Sequence, residues 1–140
     1  MFLPENASKE ANMKTRVEHL NLTVSDPLAL AGFLCRVFDW SIRWQGSAIH
    51  GGHTVHVGAE DTYLAIYGGR PGVKLTEPTD CYSTRTGLNH IGIAVSDLEA
   101  AESRIASEGF MPHSHADYEP GRRFYFGGPE GLGIEVVSYE

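Results

Sequence analysis

A chain of 140 residues, 41% hydrophobic and 21% charged, can form one compact domain, or two small modules sharing a core, without disulfide support. A formal net charge of -7 argues against a nucleic-acid partner, whose phosphates call for clustered Lys and Arg. No stretch approaches the ~20 apolar residues that span a bilayer, and the N-terminus MFLPENASKEANMKTR lacks the basic and apolar regions of a secretory signal, so a cytoplasmic protein is expected.

Residues 1–15 read as a flexible lead-in. A strand pattern from Val17 passes through Ser25-Asp26 into a helix pattern that runs to Trp40, with Pro27 suited to the first helical turn and Ala31, Leu34, Cys35 and Phe38 on an apolar face. Cys35 is expected to fill the core and Cys81 to lie in a polar linker, with no disulfide between them. Three short strands follow, at Ser41–Gln45, His53–Val57 and Thr62–Tyr67, separated by Gly-rich breaks. After the linker the plan repeats. Leu88–Val95 reads as a strand, Ser96-Asp97 opens a helix with Leu98, Ala101 and Ile105 inward, and Gly109 suits its stop. Strands are then expected at Pro112–Tyr118, Arg123–Phe126 and Gly133–Tyr139.

The repeat is specific: His19 and His90 stand 71 positions apart, as do Val24 and Val95, Ser25 and Ser96, and Asp26 and Asp97. The predicted fold is α+β, with a βαβββ module over 16–69, a linker over 70–86 and a second βαβββ module over 87–140. The length of the linker suggests halves that dock across a subunit boundary, and a homodimer is expected.

Side chains alternate across a strand. Leu20, Leu22 and Val24 form one face of the first strand, leaving His19, Asn21 and Thr23 on the other, while His90 takes the place of His19 in the second module. Pseudo-twofold symmetry would bring the two histidines together on a concave surface. Glu135 lies within the apolar run Gly133-Ile134-Glu135-Val136-Val137, where a carboxylate needs a compensating cation. Two imidazoles and a carboxylate with open positions beside them suit a divalent metal that takes up water or substrate.

The paired strand–Ser-Asp–helix units, His19, His90 and the ending FYFGGPEGLGIEVV resemble the vicinal oxygen chelate superfamily from Val17 to the C-terminus. This group includes glyoxalase I, methylmalonyl-CoA epimerase, fosfomycin-resistance enzymes, type I extradiol dioxygenases and bleomycin-resistance binding proteins. The resemblance implies a cupped, partly closed mixed sheet around one metal, held by His19, His90 and Glu135. The family's fourth ligand position falls at Ala65, which cannot coordinate, so the resemblance is to the three-ligand members. Tyr125, ten residues before Glu135, matches a tyrosine that in extradiol dioxygenases contacts a metal-bound phenolate, and His115 is the nearest candidate for an accompanying acid or base. The implied function is chelation of vicinal oxygens on a small organic substrate by one divalent ion, Fe2+ or Mn2+ before Zn2+, Ni2+ or Co2+, with extradiol-like ring cleavage favoured. Glyoxalase- or epimerase-type lyase or isomerase chemistry, and metal-free drug binding, are the alternatives.

Arg123 is expected on the face of Tyr125, where it could bind a substrate carboxylate, and Asn21, on the face of His19, is a second substrate-binding candidate. His50, His53 and His56 are spaced by three, which on a strand sends neighbours to opposite faces and disfavours a second metal site. Trp40 and Trp44 are expected to wall the core or the pocket.

Overall fold

The computed structural model describes residues 12–140. Within them each module folds as βαβββ: β1 (His19–Thr23), α1 (Pro27–Phe38), β2 (Ser41–Ser47), β3 (His53–Gly58) and β4 (Tyr63–Gly68), then β5 (Ile91–Ala94), α2 (Leu98–Ser107), β6 (His113–Tyr118), β7 (Gly121–Gly127) and β8 (Gly133–Ser138). The predicted lead-in falls mostly outside the described residues. None of the described helices is long and apolar enough to cross a membrane.

Both helices begin where the sequence places their caps. The Asp26 carboxylate accepts from Ala29 N at 3.1 Å and the Asp97 carboxylate from Ala100 N at 3.0 Å, satisfying amides that have no partner inside the helix. Gly109 stops α2 at φ +91°, a left-handed angle that glycine adopts without a Cβ clash.

The strands form two four-stranded mixed sheets, ordered β1-β4-β3-β2 and β5-β8-β7-β6. In each, the first strand runs parallel to the last, and the remaining pairings are antiparallel. The helix supplies the crossover that parallel pairing requires. The two sheets do not close into a barrel, and β1 and β5 each keep one free edge.

A single apolar cluster joins the modules. Leu30, Phe33, Leu34 and Val37 of α1 meet Val55, Val57 and Ile66 of the first sheet, and the same cluster takes in Ile105 of α2 with Phe124, Phe126, Ile134 and Val136 of the second sheet. Phe33 stands edge-on to Phe110 at 5.1 Å. Polar staples frame this core: Arg36 pairs with Glu108 at 2.8 Å, and Arg104 donates to the Val37 carbonyl at 3.0 Å near the end of α1.

The firmest staple is Glu130. Its carboxylate accepts from the Ser25 and Asp26 amides at 3.0 Å each and from the Ser25 hydroxyl at 2.7 Å, so a second-module side chain caps the first-module helix. Glu130 takes a positive φ of 64° to do so. Burial pushes its pKa up, but the hydrogen bonds from Ser25 and Asp26 outweigh this and leave it below the ordinary carboxylate value. A group with a depressed folded-state pKa stabilises above its unfolded pKa and loses that contribution as pH falls through the folded value. Glu130→Ala is therefore expected to cost about 1–2 kcal/mol in urea unfolding at neutral pH. The difference from wild type should vanish below that lowered pKa, and a pH-independent difference would contradict the capping role.

Candidate metal centre and its surrounding faces

Register places the candidate residues in rows. In the second sheet Gly92, Glu135, Tyr125 and His113 lie side by side across β5, β8, β7 and β6. In the first sheet the matching row is Asn21, Ala65, His56 and Trp44 across β1, β4, β3 and β2. Residues in one row share one face, so the two modules present equivalent faces with different chemistry.

The second face carries a connected polar group. Glu135 is 12% exposed, and its two oxygens are divided: Oε1 lies 3.1 Å from His90 Nε2, and Oε2 accepts from Arg123 Nη1 at 2.8 Å. Arg123, 13% exposed, also donates to the Gly121 carbonyl and sits 5.2 Å from the Tyr118 ring centroid. Tyr125 stands edge-on to His90 at 5.6 Å. Burial raises the Tyr125 phenol pKa, with the neighbouring Glu135 charge and hydrogen bond adding to it, so the hydroxyl keeps its proton and remains a donor at neutral pH.

Arg123 shares the face of Tyr125, as alternation predicts, but its guanidinium is already engaged by Glu135. The cation that a buried Glu135 requires is thus present within the chain, a partner that the sequence reading assigned to a metal. Two orphaned atoms border the same carboxylate: His90 Nδ1 and Arg123 Nε are buried without a hydrogen-bond partner.

His115 lies elsewhere. It pairs with Glu102 of α2 at 3.0 Å and packs 5.6 Å from the core ring of Phe124, on the helix side of the sheet. The cause is a bulge between His113 and Ala116, where Ser114 adopts φ 57°. Simple alternation would put His113 and His115 on one face; the extra residue reverses every later position. His113, opposite Tyr125 and stacked on it at 6.5 Å, occupies the place that the sequence reading gave to His115.

His19 sits at the start of β1. Its Nδ1 lies 2.9 Å from the Glu18 carboxylate, which also accepts from the Tyr63 hydroxyl at 3.0 Å. The hydrogen bond with His19, then that from Tyr63, hold the Glu18 pKa below its ordinary value. A carboxylate on one imidazole nitrogen fixes the tautomer and presents the other nitrogen outward. His19 and His90 line a common cleft of about 530 Å³ together with Trp40, Tyr63 and Leu64. Within one chain, however, no three His, Cys, Asp or Glu side chains among the described residues converge as a metal site. Asn21 lies in register with Ala65, two pairs along the ladder from His19–Tyr63.

The donor set of the His90–Glu135 half fits a metal. Two donors about 2.1 Å from one ion and at right angles to each other stand about 3 Å apart, which is the separation of His90 Nε2 and Glu135 Oε1. The anchored His19 fits as a third donor in chemistry but not in position within one chain. The run of His50, His53 and His56 forms no site: His50 is in a turn, and His53 bonds Gln45. Sequence reasoning missed Glu18, whose place beside His19 was its only signal, and His113, which was masked by the bulge.

Solved structures with the same architecture include a glyoxylase/bleomycin resistance protein/dioxygenase domain from Frankia sp. EAN1pec, at TM-score 0.74 and 20% identity, covering 90% of this chain and 93% of that one. TnmS3, an antibiotic binding protein from Streptomyces sp. CB03234, matches at TM-score 0.69 and 18% identity over 91% and 98% of the two chains. FosX, a fosfomycin resistance protein from Listeria monocytogenes in complex with Mn(II) and sulfate, matches at 0.65 and 18% over 90% and 93%. No curated protein sequence matches significantly. The model of one family covers residues 16–136, and with the paired modules this assigns the chain to the Glyoxalase/Bleomycin resistance protein/Dioxygenase superfamily.

Proposed function

We propose that the protein is a divalent-metal-dependent enzyme of this superfamily that chelates neighbouring oxygens of a small organic substrate. The metal would be held by His19 of one chain with His90 and Glu135 of a second copy. The observation that carries this reading is the 3.1 Å spacing of His90 Nε2 and Glu135 Oε1, the separation of two ligands on one ion. Supporting it, Glu18 anchors His19 through Nδ1, leaving the other ring nitrogen to coordinate. The free edges of β1 and β5 are surfaces that a second copy can cover. The Mn(II) in FosX is a precedent in the same fold.

A bound divalent ion supplies Lewis acidity to oxygens placed on it. The chain's own groups would do the rest. Tyr125, protonated at neutral pH, donates to a developing oxyanion. His113, beside Tyr125, is placed to hold or accept a substrate proton, the role first given to His115. Arg123 keeps Glu135 Oε2 occupied, which would leave Oε1 as the oxygen free to hold an ion. Ala65 supplies no donor at the fourth family position, which would leave the ion a three-ligand set. Oxygenolytic ring cleavage is the favoured reaction class, with Fe2+ or Mn2+ as the ion.

The test is metal content with subunit mixing. Wild-type protein dialysed against Mn2+ or Fe2+ should retain stoichiometric metal and migrate as a dimer, whereas His19→Ala and Glu135→Ala should each lose the metal. Unfolding and refolding the two variants together should restore roughly a quarter of wild-type content, because random pairing makes half of the dimers mixed, each with one intact site. No recovery, with each variant still dimeric, would place the site within one chain. Metal retained by Glu135→Ala would remove the site altogether.

One observation favours a second reading, a metal-free small-molecule binder: the Arg123–Glu135 pair neutralises the carboxylate unaided. TnmS3, with the same fold, is an antibiotic binding protein. A double-mutant cycle in chelator separates the two. Breaking a mostly buried pair leaves an uncompensated charge, so Glu135→Ala is expected to cost about 2–4 kcal/mol in urea unfolding, and Arg123→Leu a similar amount. The double variant should cost less than the sum of the two. If added Mn2+ stabilises wild type and that gain disappears with Glu135→Ala, the metal reading stands; if it changes nothing, the ion pair is the finished structure.

A further inference from the structure

His19 and His90 hold equivalent places in the two modules, but the residues around them differ. Asn89 stands where the first module has Glu18, and Gly133 lies across from His90 as Tyr63 does from His19. His90 Nδ1 is buried with no hydrogen-bond partner, whereas His19 Nδ1 meets the Glu18 carboxylate at 2.9 Å. One imidazole is tethered through Nδ1 and the other is not.

An exposed carboxylate on the preceding residue is a weak tether by itself. The Glu18 side chain is 56% exposed, has several rotamers open to it, and meets water that competes for its oxygens. Tyr63 removes that freedom. Its backbone amide donates to the Glu18 carbonyl at 3.1 Å. Its hydroxyl donates to Glu18 Oε1 at 3.0 Å, and this is the same oxygen that meets His19 Nδ1. The phenol ring also stacks on the His19 imidazole, with centroids 5.0 Å apart and planes 17° from parallel. The ring is braced in turn: His56 of β3 stacks on it at 4.7 Å, and the Arg43 guanidinium lies 4.6 Å from its centroid. Gly58 permits this placement, since a Cβ there would come within 2.6 Å of Tyr63 Cα.

We propose that Tyr63 is the positioning residue for His19: by holding Glu18 in place it keeps His19 in the Nδ1–H tautomer, with Nε2 left to donate to a cation. The purpose of this arrangement rests on the reading of His19 as a metal ligand, but the tautomer itself needs no metal. Tyr63 touches neither ion nor substrate in this role and acts through Glu18. Outer partners of this kind set the orientation and basicity of a ligating imidazole before the ion arrives.

The tautomer is read from long-range proton–nitrogen correlations of the imidazole rings in full-length, chelator-treated protein. The spectra are taken at about pH 8, above the ordinary histidine pKa of about 6.5. Among the seven histidines, the His19 signals are identified by their loss in His19→Ala. Wild-type His19 is expected in the Nδ1–H form. Tyr63→Phe keeps the ring and its stacking, and should move His19 toward the Nε2–H form that a free imidazole side chain prefers. The His90 pattern should not change. A wild-type His19 in the Nε2–H form, or an unaltered Nδ1–H pattern in Tyr63→Phe, overturns the proposal. Mn2+ titration by calorimetry gives the second readout. Glu18→Ala should weaken binding about ten- to a hundredfold and Tyr63→Phe about three- to tenfold, with the double variant no weaker than Glu18→Ala alone. Additive losses would mean that Tyr63 does not act through Glu18, and also overturn it. Wild-type protein that takes up no Mn2+ sinks the metal reading alone, because the tautomer spectra still decide whether Tyr63 orients His19.

Discussion

The constraint around which the rest is arranged is a carboxylate buried in the middle of a sheet. Glu135 cannot lose water unless positive charge or donors replace it, and β8 places it where β5, β7 and β8 can all supply them. Register brings Tyr125 alongside, Arg123 reaches across from two residues earlier on β7, and His90 closes in from the residue before β5. The need to satisfy one oxygen atom pair thus fixes the direction of three other side chains. The concave face of the second module is polar because of it, and the packing of Phe124, Phe126, Ile134 and Val136 beneath carries the apolar burden.

The first module solves a different problem with the same backbone. With Ala65 in the corresponding position there is no charge to neutralise, and the space is taken by Tyr63, His56 and Trp44. The Glu18 carboxylate stands at the rim, exposed, where His19 and the Tyr63 hydroxyl hydrogen-bond it. The same backbone thus carries donor atoms in the central row of one sheet and mostly rings in that of the other.

Much of this was legible in the residues. The 71-residue repeat, the Asp caps and the Gly breaks gave the βαβββ order, because each depends on local backbone chemistry. Alternation placed Arg123 and Tyr125 together correctly. It failed at His115, because a bulge adds a residue without any compositional mark other than the positive φ that Ser114 adopts. The partner of Glu135 was also hidden: Arg123 is twelve residues away in sequence, and nothing in the chain alone distinguishes an arginine that faces water from one that reaches over to the neighbouring strand. Contacts between modules, such as Glu130 with Ser25, were beyond reach for the same reason: they depend on how two units dock rather than on the periodicity of either.

The bulge in β6 has a consequence for how this strand is compared among relatives. A ladder with one residue more or fewer exchanges the whole downstream run between the ligand side and the helix side, so chemistry is inherited by facing rather than by position. Aligning β6 without a gap at Ser114 would match His113 or His115 to residues that look the other way. Two homologues could then share every letter downstream of this point and still present different side chains to the cup.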